Sequence, residues 1–162
     1  MRTAKQLSVS LVNKPGRLAS MLSALAKRKV KFLALCVMDS GSRGTVRFIP
    51  DNLEAATEVL QELNVPFEQS DVLVVEVAAQ PGAFRRVCER LAAEHLNIDY
   101  AYCSFGGEMG TKSGGLAVIR VNDLAKAQRV LSENGNAARR RAQVPVVKRP
   151  RASQKRVAVF EE

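Results

Sequence analysis

The 162-residue chain contains no tryptophan, two tyrosines and one histidine. His95 has no serine or cysteine partner placed by the local sequence, so it offers no nucleophilic relay, and catalysis is not expected. The three cysteines, Cys36, Cys88 and Cys103, are odd in number and form no C-x-x-C pair. That disfavours a metal site and a disulfide framework, and they read as reduced core thiols of a cytoplasmic protein. No apolar stretch approaches the roughly 20 residues that cross a bilayer, and "MRTAKQLSVSLV" lacks the apolar core of a signal peptide. Neither membrane association nor a cofactor or metal ion is expected.

Basic charge, by contrast, is abundant but unevenly spread. The formal net charge is +9. Residues 139–162, "RRRAQVPVVKRPRASQKRVAVFEE", hold 8 basic and 2 acidic residues, leaving the rest of the chain nearly balanced. This tail has the composition of a flexible segment, and clustered Lys and Arg suit contact with nucleic acid or an acidic partner.

The main internal signal is a repeat. "VNKPGRL" at 12–18 returns as "AAQPGAF" at 78–84, an offset of 66 residues. With that offset Leu18 aligns with Phe84, Met21 with Val87, Leu25 with Leu91 and Val30 with Leu96. Further on the offset is about 71 or 72, so that Asp51 meets Asp123 and "VL" at 59–60 meets "VL" at 130–131. Self-similarity of this kind marks a duplicated unit.

Each copy reads element by element. Leu7, Val9 and Leu11 alternate with Gln6, Ser8 and Ser10, a strand with one buried face. Pro15 presets a first helical turn, Gly16 permits close backbone approach, and a helix runs to about Arg28. Strands "KFLALCVM" and "TVRFI" flank the turn "DSGSRG", a helix covers about 52–63, and "VPFEQ" is a short fourth strand. The second copy gives strand "VLVVEVA", helix 82–94, strands "IDYAYCSF" and "LAVIRV", and helix 123–133. Its last strand has no clear counterpart. Either 143–147 or 156–160 takes that place, or the edge stays bare. The expected fold class is α+β: two ferredoxin-like βαββαβ units with sheets side by side and helices on one face. The divisions fall at residues 1–70, 71–138 and the tail 139–162.

The fold serves many functions, so the sites must decide among them. An RNA-recognition module needs paired aromatics on its third strand, and "TVRFI" and "LAVIRV" supply one Phe between them. A metal-chaperone module needs a Cys pair in the first strand-to-helix loop, where this chain has Asn-Lys-Pro-Gly and Ala-Gln-Pro-Gly. "GGEMGTKSGG" at 106–115 separates Gly110 from Lys112 and leads into a strand, so it is a hairpin and not a phosphate loop.

The chain resembles the ACT domain, the small regulatory module that binds amino acids, as a tandem pair over nearly all of residues 5–133. "NKPGRLASMLSALAKRKVKF" and "QPGAFRRVCERLAAEHLNIDYAY" carry the resemblance. It implies a ligand site where the first loop of one unit faces the second strand of its neighbour. Carried over, Asn13, Lys14, Pro15, Gly16, Arg17 and Leu18 would face Asn97, Ile98 and Asp99. The reciprocal pseudo-site would use Gln80, Gly82, Ala83, Phe84 and Lys31, with Ala79 and Lys31 where the family pattern has Asn. One equipped site and one weaker one are therefore expected. The loop chemistry agrees, because free amides at a helix N-terminus receive a carboxylate. Tyr100 and Tyr102 share one strand face, and a structural role is expected for both. The resulting expectation is a non-enzymatic regulator that binds a free amino acid and acts on a partner enzyme or pathway, either alone or as a homodimer. The alternative is an interaction module whose basic tail contacts nucleic acid or an acidic partner.

Overall fold

The computed structural model describes residues 1–105 and 114–132. The chain runs β1 (Arg2–Val12), α1 (Arg17–Lys27), β2 (Phe32–Ser40), β3 (Arg43–Pro50), α2 (Leu53–Glu62), β4 (Phe67–Val77), α3 (Ala83–Ala93), β5 (Ile98–Phe105) and β6 (Gly115–Val121). A final helix, α4, spans 124–132. The six strands form one antiparallel sheet in the order β2-β3-β1-β4-β6-β5. This is the α+β architecture that the duplicated pattern predicts.

The two predicted segments "VPFEQ" and "VLVVEVA" are one strand. No Gly or Pro interrupts Gln69-Ser70-Asp71, and β4 passes through these residues paired to β1 from Arg2↔Val74 to Val9↔Phe67. β4 thus ends the first unit and begins the second. The β4 edge where the second copy would need its last strand is occupied by β1, so among the described residues it is not bare. The candidate strands 143–147 and 156–160, the bulk of the 106–115 hairpin and the tail 139–162 lie outside the described residues.

This pairing creates a pseudo-twofold relation. Lys5 and Asp71 are equivalent under the 66-residue offset, and they sit directly opposite each other in the ladder. Their side chains form an ion pair at 2.8 Å. A pair of identical chains would place like charges there, whereas the fused chain places opposite ones.

Side-chain alternation sorts the core into three clusters. Leu7, Val9, Leu11, Val46 and Phe48 pack under Met21, Leu25, Val59 and Leu60 of α1 and α2. Leu73, Val75, Ala117 and Ile119 pack with Leu91 of α3 and with Ala127 and Leu131 of α4. A third cluster, Ala34, Ile49, Val72, Val74 and Val118, lies on the opposite face and joins the halves. The first strand therefore buries more than one face. Gln6, which alternation places outside, has no exposed surface.

The Pro-Gly loops work differently from the expectation. α1 starts at Arg17, two residues after Pro15, so Pro15 precedes the first helical turn. Gly16 and Gly82 cap α1 and α3 with left-handed backbone, φ 83° and 75°. A Cβ at Gly16 would meet nothing within 4 Å, so the dihedral, not close approach, calls for glycine there. The helix exits are left-handed too, through Lys29, Asn64 and His95. His95 occupies the position equivalent to Lys29, and its amide donates to the Ala92 carbonyl at 2.9 Å, a helix-ending role. The β1–β3 and β4–β6 registers fix the later offset at 71, which pairs Asp51 with Asn122, not Asp123. Asp51 and Asn122 then do the same work, accepting from the amides of Lys31 (2.8 Å) and Asn97 (3.0 Å). Asn52 and Asp123 likewise cap α2 and α4, accepting from Ala55 and Lys126.

Candidate functional site

The helix-free face of the sheet is curled, because β2 and β5, the two ends of the strand order, touch each other. Gln6 explains how this face is held. Its amide donates to the Tyr100 hydroxyl at 2.5 Å and to Ser8 Oγ at 3.3 Å, and its carbonyl accepts from the Tyr102 hydroxyl at 3.0 Å. Buried side-chain amides are costly without partners, and here each end of the amide has one. The tyrosines expected to be structural are the bridge between β5 and β1. Burial pushes the Tyr102 phenol above its ordinary range, with Tyr100 adding to the effect.

Each edge strand also carries an irregularity at the same place. The register shifts between Phe32 and Ala34 in β2 and between Ile98 and Tyr100 in β5. The residues at the shifts, Leu33 and Asp99, are equivalent under the duplication. A bulge re-aims side chains, and here Asp99 and its neighbour Tyr100 both line one cleft.

That cleft, of ≈ 570 Å³, lies over β1, β3 and β4 and is closed on one side by β5. Arg47 and Glu68 flank Ser8 on its two neighbouring strands, and Ser70 is opposite Gln6. The Arg47 guanidinium stacks on the Tyr100 ring at 4.2 Å and directs one Nη at the Met38 sulfur. Arg120 donates to the Asp71 carbonyl at 3.0 Å and approaches Asp99 at 4.0 Å. Arg47 Nε and Ser70 Oγ are two of the three buried side-chain polar atoms that lack a partner among the described residues, and both belong to this cleft.

The pseudo-equivalent cleft, of ≈ 510 Å³, has Arg2 in place of Glu68, Ala4 in place of Ser70, Leu33 in place of Asp99 and Ile49 in place of Arg120. The same scaffold positions a polar set in one half and a more apolar set in the other.

The residues singled out by sequence are placed as follows. Asn13, Lys14, Pro15, Gly16 and Arg17 are exposed, while Leu18 packs partly buried on the first core. Asn13 donates its side-chain amide to the Gly41 carbonyl at 3.2 Å. α1 has no side-chain cap and no acid in its first turn. Asn97 donates its side-chain amide to Asp99 at 3.2 Å, and Ile98 packs against the second core. The described bonds therefore direct Asn13 and Asn97 to different partners, and of these residues only Asp99 lines the polar cleft. In the second copy, Ala79 and Gln80 are exposed, Gly82 caps α3, and Ala83 and Phe84 belong to the core. Lys31 lines the apolar cleft.

The sequence alone does not single out Arg47, Arg120 or Ser70. A lone Arg inside each of the apolar strands "TVRFI" and "LAVIRV" was the available signal. Among the described residues no three His, Cys, Asp or Glu side chains gather as a metal site, and no helix is long and apolar enough to cross a membrane. The three cysteines are free, with Cys88 and Cys103 pushed up by burial.

The fold, its duplication and the paired Pro-Gly loops define a class, the tandem ferredoxin-like α+β modules. Residues 2–138 match the family described as the ACT domain pair, and the chain belongs to that family. A protein of Bacteroides thetaiotaomicron has a similar structure, with 31% sequence identity and a TM-score of 0.75 over 82% of this chain and 89% of that one. The ligand-free regulatory subunit of aspartate kinase from Thermus thermophilus shares the fold at 17% identity, with a TM-score of 0.57 over 81% and 91% of the two chains. The Thermus flavus regulatory subunit of aspartate kinase does so at 20% identity, with a TM-score of 0.51 over 82% and 96%. No curated protein matches the chain. ACT domains are regulatory, amino-acid-binding modules.

Proposed function

We propose that this chain is a non-enzymatic regulator that binds one small amino acid and relays its occupancy to a partner enzyme. The observation that carries the reading is membership of the ACT-pair family over residues 2–138. Two places in the fold suit such a ligand. One is the α1 entry, residues 13–18, together with 97–99, a helix N-terminus that has no side-chain cap and whose dipole favours a carboxylate. The other is the polar cleft on the helix-free face. The experiment is a thermal-shift screen of the full chain against the twenty amino acids. A ligand at a hundred times its Kd adds about 2.7 kcal/mol of stability, a rise of roughly 5–10 °C in Tm for a chain of this size. If no amino acid raises Tm at millimolar concentration, the reading fails. The basic stretch 139–162 is proposed to contact a polyanion, and removing it should weaken polyanion binding and flatten its salt dependence.

A further inference from the structure

We infer that the amino acid is held in the polar cleft of the helix-free face, with its carboxylate on Arg47 and Ser70 and its ammonium beside Asp99 and Glu68. This rests on the reading that the chain binds an amino acid, and it locates the site on the sheet instead of at the α1 entry.

The charge of the cleft selects the ligand. Arg47 and Arg120 face Asp99 and Glu68, so the lining has two cations, two anions and no net charge. A phosphate or a dicarboxylate would leave the two acids opposed by further negative charge. A small molecule that is neutral overall but carries both signs matches the lining.

The polar atoms specify where each end goes. The stack on Tyr100 and the contact to Met38 fix the Arg47 guanidinium without using its Nε, which is buried and has no partner among the described residues. Ser70 Oγ is in the same condition. Both can donate, both belong to residues that line this cleft, and a small outward shift of either side chain would offer its donor to a carboxylate there. Each would otherwise carry the cost of a buried polar group left unpaired. Asp99 is brought in by the β5 bulge, and Glu68 lines the same cleft from β4. Carboxylates on that side suit an ammonium. Tyr100 ties the site to the frame, since it carries the Arg47 stack on its ring and the Gln6 bond on its hydroxyl. The equivalent cleft has Ala4, Leu33 and Ile49 at the corresponding positions, and its charged lining, Arg2, Lys5, Lys31 and Asp51, is cationic on balance and does not match a neutral zwitterion as the polar cleft does.

The test is calorimetry of the full chain with whichever of the twenty amino acids binds, on wild type, Arg47→Met, Ser70→Ala and Asn13→Ala. Ser70→Ala removes one oxygen and guards against a folding defect in Arg47→Met. Loss of a hydrogen bond to a charged ligand group should weaken binding on the order of tenfold to a hundredfold in each cleft variant. Asn13→Ala should bind as wild type. Binding that survives both cleft variants overturns the inference and leaves the amino-acid reading standing, more so if Asn13→Ala abolishes it. Absence of saturable binding by any of the twenty overturns the reading and the inference together.

Discussion

The two halves of the molecule share a frame and differ in what they line. Each half has a left-handed Gly cap before its first helix, a bulge at the start of its edge strand and a polar residue clasping the amide just before that strand. At the bulge, one half has Leu33 and the other Asp99, and beside them stand Ala4 against Ser70 and Ile49 against Arg120. Backbone dihedrals and hydrogen bonds hold the frame, so they tolerate little change. Side chains on the helix-free face are constrained only by what they touch. Duplication followed by divergence of that face leaves one cleft with a balanced set of charges and one that is more apolar and cationic on balance.

The comparison breaks most severely at Gln6, the residue that ties β5 of the second half to β1 of the first. Replacing it with Leu removes the partner of two tyrosine hydroxyls in a partly buried region. We expect Gln6→Leu to lose about 2–4 kcal/mol of stability in chemical denaturation, on the scale of one to two unsatisfied buried groups. A loss below half a kcal/mol would show that the clasp is incidental. The same contact has a pH signature. Burial raises Tyr102 above its ordinary value of 10. The folded chain then keeps the phenolic proton where the unfolded chain releases it, so stability is full below about pH 10 and falls as the pH climbs beyond it. Tyr102→Phe should remove that part of the alkaline loss, measured as denaturation midpoints across the range.

The frame should prove symmetric where the lining is not. Gly16→Ala and Gly82→Ala each force a side chain into left-handed backbone, at a cost of about 1–2 kcal/mol apiece. Equal costs would support a common cap, and a large difference would show that one loop relaxes and the other does not. The smallest effect is expected at the pseudo-twofold centre. Lys5 and Asp71 are half exposed, with side-chain exposures of 49% and 47%. Lys5→Ala should cost roughly 0.2–1 kcal/mol, less at high salt. Lys5→Asp places two carboxylates opposite each other and should cost more, with Asp71→Lys on top restoring the loss.

Much of this frame was legible in the chain. The helices and strands follow from apolar spacing, and "IDYAYCSF" coincides with β5. The fusion of "VPFEQ" and "VLVVEVA" was not visible, because polar Gln69-Ser70-Asp71 reads as a break when pairing with β1 is unknown. Gln6 and Ser8 alternate correctly as the polar side of a strand. The burial of Gln6 depends on tyrosines more than ninety positions away, and no local pattern carries that information. The polar cleft escaped for the same reason, since Arg47 and Tyr100 meet only once the sheet curls. The offset of 71 or 72 could not be resolved by sequence, yet the ladder decides it and so assigns Asn122 and Asp123 their separate roles.

The most direct measurement is an NMR titration of the isotope-labelled full chain with the amino acid that stabilises it. Shifts are expected at the Arg47 Nε–H, at Tyr100 and at Ser70, with Arg2, Leu33 and Ile49 in the equivalent cleft unmoved. Equal shifts in both clefts, or shifts confined to residues 13–18, would contradict a site in the polar cleft.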